Sequence, residues 1–264
     1  MEAMKKSVWR GEAVSLIGQD HVRNEMPCQD ASGFWDEPRP AGIVCDGVGS
    51  ADHSEIGAKA AVAAFRRALG LFAPWLEQCL DVDLPDEMAD GYWRCICKWI
   101  ARALEESKLE CARDHGCEEK SFDYTVSFAV TGKLRCGFFQ VGDGMIVASS
   151  NYGLQSVFEP DKGGFANETR ALRVGMGESL EFKAKVLPFA QANRIALVSD
   201  GPVNLLFENA TLTPSKLFAT MLDDLSVGNL VREDLCNFLT CRKWSEIGAV
   251  DDKSIVLMTV SESI

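Results

Sequence analysis

No run of the roughly 18 apolar residues that a membrane-spanning helix needs occurs in the sequence, so a span is not expected. The opening stretch, Met1 to Arg10, is charged and has no apolar core, so it does not read as a secretory signal. Positive charge is in short supply: 27 Lys and Arg stand against 39 Asp and Glu, a formal net charge of -12. Binding to nucleic acid or to an anionic membrane needs Lys and Arg to displace counterions, so neither partner is expected. Repeats with a period of roughly 20–50 residues are absent, as are low-complexity tracts and a Gly/Ser/Pro linker. One domain over residues 1–264 is the expectation.

What is present is an ordinary globular composition, 47% apolar and 25% charged over 264 residues, long enough to bury a core without disulfide staples. Ten cysteines are scattered, some inside apolar segments (Cys45, Cys136), as small buried thiols in a reducing cytoplasm are. The acidic balance sets a puzzle for any enzyme that handles phosphate, itself an anion. Divalent cations would resolve it, and clustered carboxylates are what such cations require.

The apolar pattern gives an outline. Ala13 to Ile17 reads as a strand, followed by a polar stretch to Asp30, and Ala41 to Cys45 as another that stops at Asp46-Gly47-Val48-Gly49. His53 to Leu71 has helical spacing, and Pro74 is expected to end or bend it. Asp86 to Cys111 reads as a second long helix with Met88, Trp93, Ile96, Trp99, Ile100 and Leu104 along its apolar stripe, and Pro85 just ahead of it. Thr125 to Phe158 is broken by glycine-bearing turns into four short strands, expected as a meander. Further strands are expected at Leu180 to Val186, Arg194 to Val198 and Ser254 to Val260, with helices at Pro214 to Leu225 and Asn229 to Cys241. That order predicts an α+β architecture with mainly antiparallel sheets.

Three motifs put an aspartate at a strand end beside glycine or a second aspartate: Cys45-Asp46-Gly47, Ser199-Asp200-Gly201 and Asp251-Asp252-Lys253-Ser254. A fourth, Cys28-Gln29-Asp30, follows the first strand. A strand end holds a carboxylate rigidly yet lets it reach a cleft, and the glycine lets the backbone approach a ligand. Converging carboxylates repel one another unless divalent cations sit between them, and oxygen ligands imply hard ions, Mg²⁺ or Mn²⁺. Taken singly, each motif is common turn or cap chemistry.

The order Gln-Asp, Asp-Gly-x-Gly, a Thr-bearing strand, Gly-Asp-Gly, Ser-Asp-Gly and Asp-Asp-x-Ser, from about Val14 to Val260, resembles the metal-dependent protein phosphatases of the 2C type. The resemblance implies a four-layer α-β-β-α sandwich, two central antiparallel sheets flanked by helices. It implies a serine/threonine phosphoprotein as substrate, a bacterial-like divergent branch, and a Ser/Thr kinase as the partner whose work is undone. Two ions, Mn²⁺ or Mg²⁺, would sit between Asp46, Asp200 and Asp251, with the Gly47 carbonyl as a further ligand and Asp30 holding a metal directly or through water. Water shared by the two metals would be the nucleophile, in one step and without a phosphoenzyme. Asp143 matches a Gly-Asp-Ser element that is mostly structural in that family.

The sequence departs from that pattern in places. Val48 stands where better-known members carry a histidine, leaving His21 and His53 as the nearest candidates for a general acid, although lone histidines are more often structural. Glu25 and Met26 occupy the spacing of the family's phosphate-gripping arginine, which makes Arg23 the candidate for that role, and Gln29 replaces an acidic neighbour of Asp30. A third, weaker metal in some relatives uses an aspartate ahead of the Thr-bearing strand; Glu118, Glu119 and Asp123 lie there without aligning. Residues 158–180 fall where relatives carry a flap beside the active site.

Other readings are weaker. A dinucleotide loop needs a third glycine where Asp52 stands. Asp81-Val82-Asp83 resembles the paired aspartates of haloacid-dehalogenase-type phosphatases, but lies between two helical patterns and reads as a solvated loop. Cys95 and Cys97, two apart on a helix, face opposite ways and do not share a zinc ion. The alternative from another class is a catalytically weak phosphatase-like domain that binds phosphoproteins as a scaffold.

Overall fold

The computed structural model describes residues 8–150, 153–159, 171–173, 181–208, 211–241 and 250–261. Strands β1 (Trp9–Leu16), β12 (Lys253–Val260), β9 (Arg194–Val198), β6 (Met145–Ser150) and β7 (Gly153–Ser156) form one sheet in that order. The second sheet runs β2 (Ala31–Trp35), β3 (Ala41–Gly47), β4 (Tyr124–Thr131), β5 (Arg135–Val141) and β8 (Lys183–Pro188). Every pairing in both sheets is antiparallel.

Alternation along the strands assigns the layers. In β3, Ile43 and Cys45 face α2 (Ser54–Leu71), α3 (Ala73–Leu80) and α4 (Asp86–His115), whereas Val44 faces the other sheet. In β9, Ile195 and Leu197 face inward between the sheets, and Ala196 and Val198 pack under α6 (Lys216–Val227) and α7 (Arg232–Leu239). Three buried clusters thus glue four layers, α-β-β-α, as the family resemblance implies. Gly42 sits where the sheets come closest: an added Cβ would lie 2.7 Å from Val256 and 2.9 Å from the Met258 sulfur. A short pair, β10 (Phe207–Glu208) and β11 (Thr213–Pro214), precedes α6, and a one-turn helix α5 (Val203–Leu206) follows β9.

The structure corrects three readings of the sequence. The segment from Thr125 to Phe158 is not one meander: β4 and β5 pair in one sheet, while β6 and β7 belong to the other. The change of sheet occurs at Gly142-Asp143-Gly144, where Gly142 has φ +102° and a Cβ would strike Thr125 at 2.5 Å. Helix α2 ends at Leu71 as expected, and Pro74 then opens α3 within its first turn, where a missing N–H costs nothing. The polar stretch after β1 holds helix α1 (Gln19–Arg23), and β2, with its weak Ala-Ser-Gly start, had no strand signature. On α4, Trp93, Ile96, Ile100 and Leu104 are buried as expected, but Met88 and Trp99 face solvent. Among the described residues no helix is long and apolar enough to cross a membrane.

Candidate active site

Antiparallel pairing brings the motif aspartates to one end of the sandwich. Asp46 lies on β3 on the same side as Gly42 and Val44, so it points into the space between the sheets. Asp30 immediately precedes β2, whose Ala31 pairs with Cys45. Asp200 and Ser199 follow β9, and Asp251 and Asp252 precede β12; Val198 pairs with Ile255, which sets those two chain ends side by side. The change of sheet after β5 delivers Asp143 to the same place, beside Asp200.

The carboxylates form an open row. Asp46 is close enough to share hydrogen bonds with Asp30 on one side and Asp200 on the other. Burial, then the charges of Asp30 and Asp200, hold Asp46 well above the usual carboxylate range. Burial raises Asp30 to about 7, with Asp252 adding to it and the Ser199 and Ser254 hydroxyls working against it. Asp200 opens toward solvent at the sheet end, yet partial desolvation and then Asp143 and Asp251 raise it too. Among the described residues no three such side chains close around one point as a finished cage.

Asp252 braces the row from behind. Its carboxylate accepts the Gly18 and Gln29 backbone N–H groups, each at 2.6 Å, and lies 2.9 Å from His21 Nδ1. Lys253, also buried, donates to the Asp251 carbonyl at 2.9 Å. Burial lowers its pKa while Asp251, Asp252 and Asp30 pull the other way. Gly47 and Gly201 are required by close approach: a Cβ on Gly47 would lie 2.7 Å from Ser54, and on Gly201 1.9 Å from the Asp252 carbonyl.

This arrangement fits hard divalent cations. Crowded carboxylates beside one another in a desolvated site are the signature of a site short of positive charge, and the donors are oxygens. Asp30, Asp46, Asp200 and Asp251 are therefore brought together as the sequence motifs required.

Other candidates lie elsewhere or in other roles. Arg23 sits on α1, exposed, paired to Asp20 at 3.1 Å. His53 stacks near Phe122 and His115 at ring distances of 5.5 and 5.9 Å. Glu119 and Asp123 are each 3.1 Å from the buried Lys108 ammonium, and Glu118 pairs with Lys120. The segment from Asp81 to Pro85 is the loop between α3 and α4, exposed at Val82 and Asp83, although Asp81 itself is pinned by two hydrogen bonds from Arg39, at 2.9 and 2.8 Å, and by the Lys133 N–H. Cys95 is exposed and Cys97 buried, on opposite faces as expected. Residues 160–170 and 174–180, most of the expected flap, lie outside the described residues.

Sequence reasoning missed the second tier: Asp252, Lys253 and the hydroxyls of Ser199 and Ser254. Ser199 donates to Asp30 at 2.8 Å and accepts from the Ser254 N–H at 2.9 Å. Ser254 also touches Ser15, which touches Ser32, at 2.6 and 2.8 Å, beside a cavity of about 310 Å³ that reaches Asp30. The two key serines stood inside motifs already marked; the spacing alone did not say whom they bond.

A four-layer sandwich with paired antiparallel sheets and an aspartate row at one end defines a class. Residues 17–240 match the family described as Protein phosphatase 2C, and the chain belongs to that family. It is 25% identical over 268 residues to Serine/threonine-protein phosphatase 3 of Escherichia coli (strain K12), covering 96% of this chain and 99% of the relative. Its fold is similar to that of the serine/threonine phosphatase Stp1 from Staphylococcus aureus, with a TM-score of 0.62 and 12% identity over 99% of this chain and 100% of the other. It is also similar to the catalytic domain of the serine threonine protein phosphatase PstP in complex with 2 manganese ions: TM-score 0.59, 18% identity, 97% and 99% covered.

Proposed function

We propose that this chain, a single catalytic domain, removes phosphate from phosphoserine and phosphothreonine in proteins with two divalent ions, Mn²⁺ or Mg²⁺. The observation that carries the reading is Asp46 held between Asp30 and Asp200 at the mouth of the sandwich, in a chain of the Protein phosphatase 2C family. Ions bound there supply Lewis acidity toward the phosphoryl oxygens and an activated water.

The chain's own residues do the rest. Asp46, Asp200 and Asp251 with the Gly47 carbonyl are the holding groups, and Asp30 is oriented by Ser199. Without cations the row would repel a phosphate dianion, so the same carboxylates that hold the ions make activity depend on them. Arg23 is the proposed phosphate contact, available on an exposed turn of α1. The ten free thiols suit a reducing cytoplasm, and the opposing partner is a Ser/Thr kinase. A third metal has no support at Glu119 or Asp123, whose charge is met by Lys108.

Hydrolysis of p-nitrophenyl phosphate and of a phosphothreonine peptide, with Mn²⁺ and with chelator, tests the proposal. Wild type is active only with metal, and Asp46→Ala and Asp200→Ala lose at least about a hundredfold. Full activity in both variants, or a phosphoenzyme that survives isolation, rejects it. Phosphopeptide binding without turnover would instead favour the scaffold reading.

A further inference from the structure

Helix α4 has two apolar faces, and the core uses one. Trp93, Ile96, Ile100 and Leu104 pack toward the β2–β8 sheet. Met88, Tyr92, Cys95 and Trp99, at successive intervals of four, three and four residues, share one side of the helix and face out. Tyr92 and Trp99 remain 43% and 40% exposed. Helix α3 runs antiparallel beside them: Trp75 meets Trp99 ring to ring at 5.8 Å, and the Cys79 thiol donates to the Ala89 carbonyl at 3.5 Å. Phe72 closes a triad with Trp75 and Trp99, at 6.2 and 5.9 Å. Trp75 is nevertheless 47% exposed, and Leu71 next to the triad 66%.

Large rings that brace one another yet stay wet are a preorganised contact surface, since little side-chain entropy is left to lose on binding. The patch is remote from the aspartates. Ser54 at the start of α2 lies against Gly47, and Leu71 ends that helix about 25 Å away.

Charge narrows the partner. Residues 56–76 and 91–104, which carry the triad, contain Lys59, Arg66, Arg67, Arg94, Lys98 and Arg102 and no carboxylate, in a chain of net charge -12. Arg67 lies one turn before Leu71, and Arg102 three residues after Trp99, so both flank the rings. A two-fold contact between copies would set these arginines against their own images rather than against carboxylates.

We infer that this face docks an acidic segment of another protein, one that offers apolar side chains to the Phe72–Trp75–Trp99 triad and carboxylates to Arg67 and Arg102. The probe is a synthetic peptide of about four helical turns with Leu and Phe on one face and Glu on the others, beside versions with Gln or Lys in place of Glu. Titration into the full chain should give binding that weakens about tenfold or more in Trp99→Ser and in Arg102→Glu, and for the Gln and Lys peptides. Hydrolysis of p-nitrophenyl phosphate and circular dichroism should be unchanged in both variants, with at most a modest fall in melting temperature for Trp99→Ser as its ring contacts are lost, which excludes misfolding as the cause. Equal binding by Trp99→Ser, or by the Gln peptide, overturns the inference. So does a dimer in sedimentation, or adsorption to phosphatidylserine vesicles, that Trp99→Ser abolishes, because the face would then serve a second copy or a membrane.

Discussion

The Ser199 hydroxyl donates to Asp30 Oδ2 at 2.8 Å, tying the end of β9 to the residue ahead of β2. The same oxygen accepts the Ser254 N–H, so its proton has one direction to go. Asp30 thus owes its orientation to chain ends from the opposite sheet.

Ser199→Ala should weaken Mn²⁺ binding about 10–100-fold, the usual cost of losing a partner behind a metal ligand. Turnover at saturating Mn²⁺ should fall much less. Calorimetric titration of Mn²⁺ reads the first effect and initial rates the second; an unchanged dissociation constant would show that Ser199 is merely structural.

A second prediction concerns pH. Burial, with the charge of Asp252, raises Asp30 to about 7, and burial with neighbouring carboxylates raises Asp46 and Asp200 as well. Between roughly pH 4 and 7 the chelated native state therefore keeps protons that the unfolded chain has released. Stability of chelated protein is greatest toward the acid end of that window and declines as pH rises toward about 7. Urea titrations in EDTA at several pH values should show the decline, Asp30→Asn should flatten it, and excess Mn²⁺ at alkaline pH should restore what is lost. A flat profile in wild type would contradict the crowding of the site.

Much of this was legible in the chain itself. Most strand segments were legible as local apolar patterns, while the two-sheet sandwich and the meeting of the four aspartate motifs were legible through the family resemblance that those motifs carry. What stayed hidden depends on long-range partners. Nothing near Gly142-Asp143-Gly144 says that β6 leaves its neighbour for the other sheet; that choice is made by pairing with β9, about fifty residues on. Trp99 fitted an apolar stripe by spacing, yet the buried side of α4 is set by where α2 and the β2–β8 sheet lie.

Lys253 occupies the variable position of the last motif, and its ammonium is the cation that the row already possesses. It lies buried among Asp251, Asp252 and Asp30, held by the Asp251 carbonyl. Lys253→Met should lower the melting temperature of chelated protein, because like charges lose their counter-charge. It should also tighten Mn²⁺ binding about tenfold, since the ion no longer competes with a resident positive charge. Both effects are read on metal-free protein titrated with Mn²⁺; unaltered affinity would mean that the ammonium is too far from the bound ion to matter.

Gly201 separates Asp200 from the β12 approach. A methyl group there would stand 1.9 Å from the Asp252 carbonyl oxygen, a backbone atom that cannot swing aside. Gly201→Ala should therefore force the two chain ends apart, costing roughly 1–3 kcal/mol of stability as overpacking does, together with most of the activity. Gly91→Ala, on the open face of α4 where nothing lies within 4 Å, is the matched control and should stabilise slightly or do nothing. Equal behaviour of the two variants would sink the steric account.

The buried Lys108 offers the sharpest stability test outside the active site. Its ammonium is fully buried, 3.1 Å from Asp123 and Glu119 and 3.3 Å from Glu105, and donates to the Leu172 carbonyl at 3.0 Å. It joins α4 to the approach of β4 and to the described residues 171–173, where Arg173 also bonds Asp123. Lys108→Met keeps the length of the side chain and removes the charge, leaving buried carboxylates facing each other. Losing one member of a buried ionic group costs roughly 3–5 kcal/mol, because the remaining charges stay desolvated without compensation. Adding Asp123→Asn to Lys108→Met should recover part of that loss, since one of the stranded charges goes with it. Urea midpoints of wild type, both single variants and the double variant close the cycle, and strictly additive losses would show that the lysine and the aspartate do not act together.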